Sequence, residues 1–103
     1  MDIVGDKRQL MAFFLGEYAI KNAMSNSASN ENFRAGVSAG IDFYFMALRT
    51  SNLYKLRDKI VSRRNDVFDD IGSLPESYEA KDMYLLLEGE VSFYTWLLGG
   101  VEL

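Results

Sequence analysis

The chain contains no cysteine and no histidine. Without thiols there is no disulfide framework, no thiolate zinc site and no cysteine nucleophile. Without imidazole the commonest general base and the commonest metal ligand are both missing. The carboxylates do not make up the loss. Glu88 with Glu90 and Asp69 with Asp70 lack the i, i+3 or i, i+4 spacing of a helical ligand pair, and there is no Walker-type glycine loop or calcium-loop spacing. These absences predict a protein that is not an enzyme and that carries neither cofactor nor metal. Long apolar runs are also lacking. The stretch from Leu10 to Gly16 stops at Glu17 with no small-residue cleavage site after it, and the stretch from Met83 to Leu98 is interrupted by Glu88 and Glu90. Neither reads as a signal peptide or a bilayer span, so the expected setting is cytoplasmic, away from membranes.

Within those exclusions, 103 residues with 49% hydrophobic side chains and 14% aromatics are enough for one domain, residues 1–103, around one core. The apolar residues recur at helical rather than strand spacing. Asp6 followed by Gln9 reads as an N-cap with its reciprocal partner, opening a helix to about Met24 in which Leu10, Phe13, Phe14, Tyr18 and Ile20 cover more than half the circumference. Residues 25–30, all short and polar apart from Ala28, turn the chain, and Asn30 or Ser29 caps a second helix. Its stripe of Phe33, Val37, Ile41, Tyr44, Phe45 and Leu48 does not share an axis with the later set Leu53, Leu56, Ile60 and Val67. That rotation predicts a kink or break near residues 50–52.

Asp69-Asp70-Ile71-Gly72 reads as an exit loop, and Ser73-Leu74-Pro75-Glu76 as a capping box that starts a last helix running to Leu98, with Gly99-Gly100 as its stop. A hairpin over residues 84–97, with its tip at Glu88-Gly89-Glu90, is the competing reading of that segment. The predicted fold is therefore all-α: a small three-helix bundle whose long central helix is kinked or broken near residues 50–52. Apolar coverage this broad on so few helices predicts that a second copy hides part of it, so the chain is expected to form a homo-oligomer, most simply a dimer.

Charge is distributed unevenly. Arg49, Lys55, Arg57, Lys59, Arg63 and Arg64 are six of the chain's eleven basic residues, and with Asp58 they give the segment a net +5 inside a chain of net −4. Lys55, Lys59 and Arg63 stand at i, i+4, i+8, where like charges repel. Two internal offsets are available: the negative C-terminal end of the same helix, and the acidic residues Asp66, Asp69, Asp70, Glu76, Glu79 and Asp82. The outward reading makes Arg49, Lys55, Lys59, Arg63 and Arg64 a partner-binding face for an acidic protein surface. The alternative is a binder of nucleotide or nucleic-acid phosphates, for which Tyr54 is the one aromatic placed to stack beside the charges.

A second feature is the run from Phe33 to Phe43, in which Ala35 with Ala39 and Gly36 with Gly40 form two small-residue ridges. Ridges of this kind let another backbone come close, either within the chain or from a second copy. Phe33, Ala35, Gly36, Ala39, Gly40 and Phe43 are thus the candidate self-association face. Gly89 is a further point of close contact. Phe33-x-Ala35-Gly36-x-x-Ala39-Gly40-Ile41-x-Phe43, with Leu87-x-Gly89-x-x-x-Phe93-x-x-Trp96-Leu97-Leu98-Gly99, resembles segments of short helical accessory proteins encoded by bacteriophages and other mobile elements. The resemblance implies a host-interaction, assembly or anti-defence role and brings no catalytic motif with it.

Overall fold

The computed structural model describes residues 7–21, 30–50, 52–77 and 80–99, and among them the chain is all-helical. It has four helices rather than three: α1 (Lys7–Lys21), α2 (Glu31–Thr50), α3 (Leu53–Gly72) and α4 (Lys81–Gly99). The expected cap Asp6, the end of the first helix at Met24 and the turn at residues 25–29 lie outside the described residues. Asn30 does cap α2, its Oδ1 accepting from the backbone N–H groups of Asn32 and Phe33 at 2.8 and 3.3 Å.

The expected central kink is a complete break. Asn52 begins a new helix, its side chain accepting from the Lys55 N–H at 3.0 Å while its extended backbone turns the axis. The apolar stripes before and after residue 51 can then each face the core separately.

The second departure is at the α3–α4 connection. Asp69 to Gly72 are helical, so they are not the exit loop, and Ser73 ends α3 instead of starting α4. The Ser73 hydroxyl donates to the Asp69 carbonyl at 3.0 Å, and its N–H bonds back to the carbonyls of Asp69 and Asp70. The turn runs through Leu74 and Pro75, and it is Ser77 whose side chain accepts from the Ala80 N–H at 3.3 Å. Residues 84–97 are helical, which rejects the hairpin.

Successive helices run antiparallel. Lys7 pairs with Asp42 at 3.0 Å while Tyr18 meets Phe33, and Arg57 reaches Leu98 while Arg63 reaches Glu90. This arrangement leaves α2 parallel to α4, and these two make the most extensive pairing, followed by α3 with α4. The unbroken buried run from Gly89 to Tyr94 marks α4 as the central helix.

Glycine makes that pairing possible. A Cβ on Gly36 would collide with the Leu86 carbonyl, and one on Gly89 with the Phe33 carbonyl, so the backbones of α2 and α4 touch where the two glycines lie. Around this crossing Phe14, Phe33, Phe93 and Tyr94 are fully buried, with Phe14 edge-on to both Phe93 and Trp96. Met83 and Tyr84, in the first turn of α4, are exposed.

Candidate functional site

The break between α2 and α3 changes the electrostatics of the basic segment. In one continuous helix its cations would stand near a negative C-terminal end; here Lys55 and Lys59 occupy the first two turns of α3, at the positive end of that helix. The offset comes from other helices. The C-terminal ends of α2 and α4 both lie beside the start of α3, where Lys59 Nζ donates to Thr50 Oγ1 at 3.3 Å and Arg57 Nη1 to the Leu98 carbonyl at 3.4 Å. The last turns of two parallel helices thus supply the negative potential that the sequence reading assigned to one.

The five candidate cations separate into two groups. Arg63 turns inward: its Nε and Nη2 donate to the two carboxylate oxygens of Glu90 at 2.8 and 3.2 Å, in the bidentate geometry natural to guanidinium and carboxylate. Glu90, with a side chain only 7% exposed, also accepts from the Tyr94 hydroxyl at 2.5 Å. The triad ties α3 to α4 beneath the Phe43 ring. The hydrogen bond to Glu90 pushes the Arg63 guanidinium up from its ordinary value and keeps it charged. Arg64 is half-buried, lies 6.0 Å over the Phe68 ring, and has a buried Nε with no hydrogen-bond partner.

Arg49, Lys55 and Lys59 form the outward group. All three are exposed, and none has a carboxylate within ion-pairing distance among the described residues. Lys59 stands at the rim of a groove between α2 and α3 with Phe43, Met46, Ser62, Arg63 and Asp66. Cations therefore border a partly apolar strip in which Met46 is exposed.

The self-association residues also divide. Phe33, Gly36 and Gly40 are buried against α4 of the same chain, so the close approach that the glycines permit is made within the chain. Ala35 and Ala39 remain exposed, and Phe43 is half-buried beside the groove. Sequence reasoning missed Glu90 and Tyr94. The available signal was a carboxylate inside an apolar helix, four residues from a tyrosine on the same face.

Burial, and then the bond to Glu90, push the Tyr94 phenol above its ordinary value of 10.0. Unfolded tyrosines ionise near pH 10 while Tyr94 in the folded chain keeps its proton. This part of the stability is fully present below pH 10 and declines as pH rises beyond it. Urea unfolding between pH 7 and 11 should show Tyr94→Phe less stable than wild type at pH 7 by about 1.5–3 kcal/mol, the worth of a bond to a charged acceptor. The two proteins should converge above pH 10. A constant gap would mean that Tyr94 does not contribute to the alkaline loss.

Among the described residues no group of three or more carboxylates is placed to hold a metal ion, and no helix is long and apolar enough to cross a membrane. No protein-family model, curated protein or solved structure matches the chain.

Proposed function

We propose that the protein is a non-catalytic interaction module whose α2–α3 face receives an acidic protein surface. One observation carries the reading: among the described residues Arg49, Lys55 and Lys59 stay exposed without carboxylate partners, Lys59 in the groove that holds the exposed Met46, while Arg63 is neutralised internally. Unpaired cations around an apolar strip suit a partner helix with carboxylates flanking apolar anchors. Self-association is a second proposed contact. Phe13, Phe68, Met83 and Tyr84 remain exposed, Phe68 and Tyr84 on either side of the α3–α4 turn, and a second copy would cover such surface. The resemblance to bacteriophage and mobile-element accessory proteins supports a host or defence protein as the partner.

The phosphate-binding alternative has its own supporting observation: Tyr54 is 91% exposed next to Lys55, open for base stacking. Fluorescence anisotropy with a designed Glu/Leu amphipathic helix and with single-stranded DNA separates the two readings. The expected result is saturable binding of the acidic helix that weakens with salt and falls at least tenfold in the folded double variant Lys55→Glu/Lys59→Glu. Tight DNA binding with no helix binding would replace the protein-partner reading with the phosphate one.

A further inference from the structure

A different cavity opens at the end of the bundle where α2 and α4 finish and α3 begins. It measures about 260 Å³ and is lined by Tyr44, Leu56, Arg57, Ile60, Leu97 and Leu98. We propose that it binds a small amphipathic carboxylate, the apolar body lying against the leucine and isoleucine side chains and the carboxylate on the Arg57 guanidinium, with the Tyr44 hydroxyl as a second donor. The proposal is independent of the acidic-partner reading, which concerns the groove on the other flank of α3.

Three features of the cavity define the ligand. Its walls are aliphatic, and its volume is enough for roughly ten non-hydrogen atoms, which sets a short chain or a single ring as the body. Among the described residues, the one charged side chain in the lining is the cationic Arg57. Arg57 uses one nitrogen on the Leu98 carbonyl at 3.4 Å, near the long limit for a hydrogen bond, and its remaining donors are free to meet a carboxylate as a planar fork. The third feature is Tyr44, half-buried, with a hydroxyl that makes no hydrogen bond among the described residues. Burial pushes this phenol up, so it is a neutral donor across the physiological range.

An anion near two helix C-termini meets about half a negative charge from each. Among the described residues, Arg49 in the last turn of α2 and Lys55, Arg57 and Lys59 in the first two turns of α3 stand at the same end, against Asp58 and those two half charges. A cationic or zwitterionic ligand has no carboxylate in the lining, among the described residues, to pair with.

Octanoate, octanol and octylammonium serve as probes, each below its micellar concentration, titrated into the ¹⁵N-labelled full chain with chemical shifts as the readout. Octanoate should bind saturably with a Kd on the order of 1 mM, as suits ten atoms. It should move the amides around Tyr44, Arg57 and Leu98 and leave those around Met46 and Ser62 unmoved. Arg57→Gln, at an exposed position that leaves the fold intact, should weaken octanoate about tenfold and leave octanol unchanged. Tyr44→Phe should weaken it about threefold. The inference is overturned if wild type shows no saturable octanoate binding, if octylammonium binds as tightly, or if Arg57→Gln binds octanoate like wild type.

Discussion

Replacing Gly36 or Gly89 with alanine unfolds much of the protein, although alanine is the better helix former by about 1 kcal/mol. The sign reverses because the added Cβ meets backbone. On Gly36 it strikes the Leu86 carbonyl and stands 3.0 Å from the Glu90 nitrogen; on Gly89 it strikes the Phe33 carbonyl and stands 3.1 Å from the Val37 nitrogen. No side-chain rotation relieves either clash, so α2 and α4 must move apart and open the ring cluster packed around them. Overpacking of flexible cores costs about 1–3 kcal/mol, and a backbone clash at the tightest crossing belongs at or above the top of that range. For a domain of this size that lowers the Tm by about 12–24 °C. Gly16, exposed on α1 with nothing within 4 Å of its would-be Cβ, is the internal control. Gly16→Ala should raise stability by up to about 1 kcal/mol. Thermal unfolding of the three single variants checks both signs; equal effects at all three glycines would show that the crossing is not where the structure has it.

The second large effect comes from the Arg63–Glu90–Tyr94 triad. Removing Arg63 leaves the Glu90 carboxylate buried with the Tyr94 hydroxyl alone, and breaking a fully buried pair this way costs about 3–5 kcal/mol. Arg63 is 40% exposed along its side chain, so water screens part of the loss and about 2–3 kcal/mol is the expected penalty for Arg63→Ala. Removing both charges is gentler than either single change suggests. Arg63→Met with Glu90→Leu exchanges the ion pair for apolar volume, and such exchanges are often near neutral. A double-mutant cycle by urea unfolding should therefore return a coupling of about 2 kcal/mol. Simple additivity would mean that the two groups do not depend on each other.

These two sites differ in how far the sequence reveals them. The Gly36/Gly40 ridge is visible as a local pattern, because glycines at i, i+4 inside a helix are unfavourable unless something comes close. That the close neighbour is α4, and that Gly89 answers Gly36, depends on which helices run parallel, and local spacing does not carry that. The break between Thr50 and Leu53 is legible because the apolar stripe changes axis there. The start of α4 was misread for an opposite reason. A serine hydroxyl can accept from a following N–H or donate to a preceding carbonyl, and Ser73-Leu74-Pro75-Glu76 contains nothing that decides between the two.

The same limit divides the basic segment. Its total charge and its Lys55/Lys59/Arg63 spacing are plain in the sequence, but Arg63 differs from Lys59 only through Glu90, twenty-seven residues further on. One cation became part of the bundle and its neighbour stayed outside. This division is what makes the outward face a candidate for recognition: of the five candidate cations, Arg49, Lys55 and Lys59 are the ones that stay exposed without a carboxylate partner among the described residues.

Mapping the ¹⁵N-labelled chain during titration with the designed Glu/Leu helix tests that claim most directly. Shifts gathered on the amides from Phe43 to Thr50 and from Lys55 to Asp66, reduced by Lys55→Glu/Lys59→Glu, are the expected result. Shifts centred on α1 or on the α3–α4 turn, or an unperturbed spectrum at saturating peptide, would contradict it.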